Sequence, residues 1–487
     1  MIFLRRLRFW WNRPCGGRDV LRLALPLVVS TASWTVMNFT DRMFLLWHST
    51  EAMAAAMPSG LLFFTFTCFP LGVVSYVNTF VAQYHGAGRP ERIGLAVWQA
   101  VRISLWATPL LIVTIPAARW LFSVAGHEPR VAALEIEYFQ AIVFGGGGVL
   151  LSAAFSAYFT GQGRARVVML VDAFGALLNV ALDYAWIFGR WGFPEWGVAG
   201  AAWATVVSQW VQAAIYWRLI HRSEECRRCR LVEGRRPDRD LMRRLWRFGG
   251  PNGLQMVIDM AAFSVFLLFV GQLGTEAMAA TNLAFNVNSV AFVPMLGVAM
   301  AVSTIVGQQL GRDRPDRASR AAWTGLWIAE IYMGTLAVLY VALPEAFLFG
   351  HAWGANPAEF ARIHDLTVAL LRFVAAYCLF DALNVVFSGA IKGAGDTHFI
   401  LKTTLVMAPL PVLVAWAGMR LAGYGLFWCW TVVTVWCCCL GLIYLARFLH
   451  GHWRTMRVIE PEAELSEVDA LSEQLPAIGA GSSAADD

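Results

Sequence analysis

The six residues TEAMAA at Thr50–Ala55 occur again, unchanged, at Thr275–Ala280, 225 positions later. The match runs well beyond the hexapeptide. At the same offset Pro26 meets Pro251, Gly72 meets Gly297, Gln83 and Gly86 meet Gln308 and Gly311, Arg89-Pro90 meets Arg314-Pro315, and Trp98 meets Trp323; from Thr50 to Trp98, 19 of 49 positions are identical without a gap. Unrelated apolar segments do not share glycine, proline and glutamine at fixed spacing in this way, so the chain is a tandem duplication. A later pair of motifs, TGQGRAR at Thr160–Arg166 and KGAGDTH at Lys392–His398, keeps the relation with the offset grown to 232.

The duplicated unit spans a membrane. The 487 residues are 58% hydrophobic and only 15% charged, with mean hydropathy +0.55, more apolar surface than a water-soluble globule of this size hides. Runs of spanning length fall near 20–47, 52–84, 93–123, 131–160, 167–189, 194–220, 245–273, 277–310, 321–349, 366–391, 399–420 and 422–449. Six fall in each repeat. An even number gives both repeats the same orientation, related by a pseudo-twofold axis along the membrane normal, with a binding cavity expected between the bundles. The fold expected is therefore an all-α integral membrane protein of twelve transmembrane helices in two pseudo-twofold-related six-helix bundles.

Arginines set the orientation. They crowd the N-terminus, the connections after spans two (Arg89, Arg92), four (Arg164, Arg166) and eight (Arg312, Arg314, Arg317), and the loop HRSEECRRCRLVEGRRPDRD; Lys392 and Lys402 follow span ten, and Arg454 and Arg457 follow span twelve. The connections after spans one and seven contain no Lys or Arg. Both termini are expected to be cytoplasmic. The expected organisation is a basic N-terminus (1–19), an N-lobe (20–221), a cytoplasmic linker (222–244), a C-lobe (245–449) and a disordered acidic tail (450–487). The first 19 residues lack the pattern of a removable signal peptide, so a multi-pass protein of the cell's inner (plasma) membrane is expected. The net charge of +5 reflects topology, and no nucleic-acid partner is expected.

An ATP-driven pump would carry G-x-x-x-x-G-K-[ST], but the only lysines, Lys392 and Lys402, follow Ile391 and Leu401. No cluster of His/Asp, Ser/His or Glu/His suggests an enzyme, and no cofactor is expected. Energy must come from an ion gradient or a partner subunit. Ion ligands are sought among carboxylates within the spans, where charge is expensive and usually functional. Span one carries Asp41; span five carries Asn179 and Asp183 four apart on one helical face; span six carries Ala201 and Thr205, again four apart. At about 1.5 Å per residue, Asp41, Asp183 and Thr205 fall in the same, extracellular half of the bilayer, where they could meet around one cation. Oxygen ligands suit sodium, and two close carboxylates equally suit a shared proton. Alternatively Asn179 and Asp183 only tie helices together.

The doubled P…D…EAMAA entry, the loops FVAQYHGAGRPER and IVGQQLGRDRPDR, and the stretches NVALDYAWIFG, GVAGAAWATVVSQ and FSGAIKGAGDT together resemble the MATE (multidrug and toxic compound extrusion) family over roughly residues 20–450. The resemblance implies a secondary active multidrug efflux antiporter, exchanging sodium ions or protons for organic, often cationic, drug-like compounds and working as a monomer. Position by position, Pro26 resembles the helix-bending proline of the first span. Asp41, Asn179, Asp183 and Thr205 resemble the N-lobe cation site, where sodium would bind, with the Ala201 carbonyl as a further ligand. Asp259 and Asp381 resemble a C-lobe acidic pair.

Two departures bear on that reading. Arg42 directly follows Asp41, although adjacent residues do not face each other on a helix. At offset 232, Asn179 and Asp183 fall on Pro411 and Ala415, so the lobes are not equivalent. Cys226–Cys229 is half a zinc pattern without a second pair; Cys437, Cys438 and Cys439 read as packing residues; Glu330 and Arg372 are intramembrane charges; Gly145–Gly148 reads as a site of close packing or bending. The competing reading is a flippase or exporter of a lipid-linked precursor or other amphiphile in the same broad superfamily, which would call for a strongly cationic cavity, whereas the deeper charges here are mainly acidic.

Reporter fusions within 222–244 and after residue 450 should both read cytoplasmic. An extracellular signal at either position would overturn the twelve-span topology.

Overall fold

The computed structural model describes residues 10–124, 126–222, 228–229, 236–352 and 357–461, and among these no strand occurs. A chain this apolar must satisfy its backbone polar groups internally, which within lipid leaves helices or a closed barrel, and this chain takes helices. The N-lobe comprises α1 (Gly17–His48), α2 (Thr50–Ser75) with its continuation α3 (Val77–Ala87), α4 (Pro90–Val113) with α5 (Ile115–Val124), α6 (Pro129–Ile142) and α7 (Gly146–Gly161), α8 (Ala165–Ile187) and α9 (Gly197–Arg222). The C-lobe follows with α10 (Arg239–Gln272), α11 (Thr275–Gly311), α12 (Pro315–Ala342) with α13 (Pro344–Ala352), α14 (Pro357–Ala394), α15 (Thr397–Met407) with α16 (Pro409–Leu421), and α17 (Leu426–His450).

Eleven of these stretches are long and apolar enough to cross a membrane. The twelfth is α9, 26 residues long, whose apolar run is interrupted by the buried Ser208, Gln209 and Gln212. Local chemistry sets the ends. Ser49 caps α2 by accepting from the Ala52 N–H at 2.9 Å, and prolines open α4, α6, α12 and α16, where the missing N–H costs nothing. The run Gly145–Gly148 does both things expected of it: a 3-10 turn at Val143–Gly145 separates α6 from α7, and Gly148 lies against the backbone of Gln209 and Trp210 on α9.

The lobes join through duplicated residues. Gly72 on α2 packs against Gly253 of α10, just after Pro251, while its counterpart Gly297 on α11 packs against Leu27 and Val28 of α1, just after Pro26. Nearer the arginine-rich face the same crossing recurs: a side chain at Gly86 would overlap the Gln308 carbonyl, and one at Gly311 would overlap that of Gln83. The glutamines cross as well. Gln83 Nε2 donates to the Gly393 carbonyl at 3.1 Å and Gln308 Nε2 to the Gly161 carbonyl at 2.8 Å, and Gly161 and Gly393 are themselves counterparts. Asn252 donates to the Gly72 carbonyl at 2.7 Å, Asn78 to Thr304 Oγ1 at 3.0 Å, and Thr31 to the Val293 carbonyl at 3.3 Å. These bonds run from the arginine-rich face to about mid-depth, since Thr31 is 14 residues into α1, about 21 Å.

Two expectations change. The connection after α14 is only Gly395-Asp396: Lys392 lies in the last turn of α14 and Lys402 within α15. The tail expected to be disordered from residue 450 is packed as far as Glu460, with Trp453, Val458, Ile459 and Glu460 all buried. Its acidic composition hid one aromatic, two aliphatics and one carboxylate that find partners on the lobes. The acidic remainder, 462–487, and Cys226 lie outside the described residues; Cys229 is buried, 3.8 Å from the Tyr158 hydroxyl.

Gly86→Leu and Gly311→Leu should each lower thermal stability of the detergent-solubilised protein by the equivalent of about 1–3 kcal/mol, the cost of overpacking. Gly60→Leu, where nothing lies within 4 Å, should cost far less. Equal melting temperatures for Gly86→Leu and Gly60→Leu would show that the lobes do not meet at Gly86.

Candidate cation site

The N-lobe residues singled out above converge in the half of the protein away from the arginine-rich face. The i, i+4 spacing places Asn179 and Asp183 on one face of α8, and both are fully buried. With its amide oriented so that every polar atom finds a complement, Asn179 donates to Asp183 Oδ2 at 3.0 Å and accepts from the backbone N–H and hydroxyl of Thr205 on α9, each at 3.3 Å. Ala201, one turn before Thr205, is also fully buried. Asp41, from α1, is 8% exposed, close enough for its charge to act on Asp183, and Tyr138 of α6 lies beside it. Arg42 is exposed on another face of α1.

One oxygen of each acid, Oδ1 of Asp41 and Oδ1 of Asp183, is buried without a hydrogen-bond partner. A buried carboxylate oxygen left unpaired is costly, and the cluster of Leu45, Ala52, Tyr138, Ile187 and Ala201 beside it is apolar. Two like charges in such surroundings are relieved by a cation between them or by a proton shared between them. The unpartnered atoms here are both carboxylate oxygens, hard donors of the kind that bind hard cations.

The C-lobe acids are not brought together. Asp259 on α10 is exposed, accepts from Gln255 Nε2 at 3.2 Å, and feels the charge of Lys392. Asp381 on α14 is 5% exposed, with Asn384 Nδ2 at 3.3 Å and Cys437 Sγ at 3.5 Å from Oδ1. Helices α10 and α14 do not pack side by side, which is why two acids matched to a pair by motif end up with separate neighbours.

The sequence model of the MatE family matches residues 26–185 and again 251–417, one segment in each lobe. The chain belongs to the MatE family. The MATE transporters are membrane transporters of multidrug type and not enzymes, and the chain is accordingly a multi-pass membrane transporter. It is 25% identical over 450 residues to a probable multidrug resistance protein NorM of Thermotoga maritima, covering 91% of this chain and 95% of that one. Its fold is that of an outward-facing multidrug resistance MATE transporter of the MOP superfamily, with TM-score 0.82, 19% identity and coverage of 91% and 97% of the two chains. A MOP superfamily transporter from Pyrococcus furiosus, whose binding pocket is of reverse polarity, is equally similar, with TM-score 0.82, 19% identity and coverage of 92% and 98%.

Three residues of this MATE chain escaped the reading of its sequence. Asp172 lies seven and eleven residues before Asn179 and Asp183, on the same face of α8; it accepts from Ser30 of α1 and from the Tyr216 hydroxyl of α9 at 2.7 Å. The spacing alone could have found it. Tyr138 carried no such signal, since its approach to Asp41 depends on how α6 packs. Glu135, one turn before it and fully buried, is met by His127 Nδ1 at 2.8 Å. Pro26 and Pro251 are buried inside the continuous helices α1 and α10, beside the interlobe glycine contacts. Glu330 is partly buried and Arg372 exposed.

Asp41→Asn and Asp183→Asn preserve side-chain volume while removing a charge. Each should leave the protein folded and inserted but lower gradient-driven transport at least about tenfold, equivalent to ~1.4 kcal/mol of coupling. Wild-type rates in both variants would reduce these residues to ties between helices.

Proposed function

We propose that the chain is a secondary active multidrug exporter that exchanges a monovalent cation for organic, often cationic, compounds. The observation that supports this most is the pair of unpartnered carboxylate oxygens on Asp41 and Asp183, set among Asn179, Thr205 and Tyr138 in an apolar wall. A purely structural polar cluster would pair those oxygens, whereas a cation or proton site leaves them free for cargo. Asn179 and Thr205 complete the oxygen set, with the Ala201 carbonyl as a further ligand. The arginine-rich face and both termini are assigned to the cytoplasm of a cell whose inner membrane holds the protein, working as a monomer. With the lobes joined at that face, the cleft between them then opens outward.

A second reading draws on Lys392. It brings positive charge to Asp259, and a more basic C-lobe interior would suit an anionic amphiphile such as a lipid-linked precursor better than a cationic drug. Proteoliposomes separate these readings. Under an imposed sodium or proton gradient, applied one at a time, a cationic dye should move against its own gradient with one ion and not the other; Asp259→Asn and Asp381→Asn should change apparent affinity for the cationic dye more than for a neutral drug, and less severely than Asp183→Asn stops transport. Ion-dependent translocation of an anionic lipid, with no dye or drug movement under either gradient, would replace export of drugs by the flippase reading. Loss of all transport in Asp259→Asn with retention in Asp183→Asn would move the coupling site to the C-lobe.

A further inference from the structure

The short segment after α17 crosses from one lobe to the other. Helix α17 ends at Gly451, whose φ of 81° is the left-handed turn that glycine adopts freely, and a 3-10 turn at His452–Thr455 follows. On the C-lobe side the segment is anchored by apolar contacts. Trp453 is fully buried, stacks on Phe448 with centroids 4.7 Å apart, and donates to the Phe448 carbonyl at 2.8 Å; Val458, also fully buried, packs over Gly395. The ion pair of Arg457 with Asp313, at 2.8 Å, is largely exposed and adds little.

On the N-lobe side the segment is held by polar bonds. The Val458 N–H donates to Gln83 Oε1 at 2.8 Å, taking the remaining polar atom of the side chain whose Nε2 already crosses to Gly393. Glu460, only 4% exposed, accepts from the Tyr84 hydroxyl at 2.6 Å and from Arg92 Nε at 2.8 Å; its backbone carbonyl accepts from Arg89 at 2.9 Å. Arg92 also reaches Asp238 at 3.4 Å, so the N-lobe, the end of the interlobe linker and the C-terminal segment meet at one guanidinium. Gln308, the counterpart of Gln83, keeps the symmetrical bond to Gly161. The segment is therefore an addition that one lobe supplies to a closure the duplication made symmetrical.

We propose that residues 451–460 are a strap that clamps the lobes together at the arginine-rich face, hinged on the C-lobe by Trp453 and clasped on the N-lobe by Glu460, and that the clasp must release before this face opens. The clamp itself is independent of what the protein carries; its part in a transport cycle rests on the exporter reading above. An apolar anchor and a polar clasp behave differently on separation. Trp453 would lose buried area by leaving Phe448, whereas Glu460, Arg89 and Arg92 exchange their mutual bonds for water. Burial opposes ionisation of Glu460, but the Tyr84 hydrogen bond and the Arg92 charge outweigh it and hold its carboxyl below the ordinary glutamate range. A lowered folded-state value means that the clasp is formed above the ordinary glutamate range and lost only in acid, as pH falls through the lowered value. Cytoplasmic pH does not switch it; mechanical separation of the lobes does.

The test uses the full chain in nanodiscs, without substrate or gradient, carrying spin-labelled non-cysteine side chains at the exposed counterpart positions Arg166 and His398. Glu460→Gln should raise the population with widely separated labels at least about fivefold over the parent, and ending the chain at residue 456 should do the same or more. Arg457→Gln, which removes the pair with Asp313 and two bonds to carbonyls within the strap but leaves the Glu460 clasp in place, should change it less than about twofold. Distance distributions unchanged in both Glu460→Gln and the truncated chain would overturn the strap. A truncated chain that fails to fold leaves Glu460→Gln to decide. Widened distances in a protein that transports nothing under either ion gradient would support the clamp while overturning the exporter reading.

Discussion

The structure depends on backbone brought against backbone at glycine. At Gly72, Gly86, Gly297 and Gly311 the lobes approach so closely that a Cβ would strike a main-chain atom of the opposite lobe, and each contact has a twin because each residue has a twin in sequence. In a membrane, where lipid is as apolar as side chains, helices gain by such close approach and by the polar bonds that accompany it. Asn252 and the crossed glutamines supply those bonds, bonding carbonyls of the opposite lobe that the glycines leave accessible. The joint is close because glycine leaves no side chain between the backbones, and polar in part because that leaves carbonyls within reach of Asn252 and the glutamines.

The frame is symmetrical but the chemistry placed on it is not. Helix α8 runs unbroken through Asn179 and Asp183, whereas its C-lobe counterpart is divided into α15 and α16 at Ala408, ahead of Pro409 and Pro411. A proline interior to a helix removes a donor and clashes with the carbonyl four residues back, so the position that presents an amide in one lobe breaks the helix in the other. The C-terminal strap adds a second asymmetry at the opposite end of the molecule.

The fold was legible because it was written twice. Helix existence, the two-lobe division and the common face of Asn179 and Asp183 follow from spacing, since an i, i+4 relation fixes a face whatever the tertiary packing, while Thr205 is matched to them only by depth along the next span. What could not be read was what depends on neighbours from distant sequence. Asp259 and Asp381 match a pair by motif, but their separation is decided by which helices of the C-lobe touch. Tyr138 and Glu135 sit in an ordinary amphipathic stretch, and their burial against α1 and α2 has no local signature. Glu460 stands in an acidic, proline-containing segment whose composition argues for disorder; the Trp453 anchor on the C-lobe and the two arginines, tyrosine and glutamine on the N-lobe that structure it are distant in sequence.

Helix α1 ties these parts together. Its outer half presents Asp41 to Asp183, its middle presents Ser30 to Asp172 on the same face of α8, and its inner half carries Pro26 beside the contact with Gly297. Asp172 and Asp183 are eleven residues apart, about 16 Å along one helix, so α1 meets carboxylates of α8 at two levels, bonded to Asp172 through Ser30 and facing the like charge of Asp183 through Asp41, and it meets the C-lobe between the proline and mid-depth. Coupling between distant sites needs an element whose arrangement both sites bias. A proline with no N–H to give leaves the Arg22 carbonyl of α1 without its helical partner, and this gap lies between the lobe contact and the arginine-rich face. Two carboxylates facing each other repel when both are charged, so the charge at Asp41 and Asp183 bears on the outer half of α1, and the contact at Gly297 lies on the same helix beside Pro26.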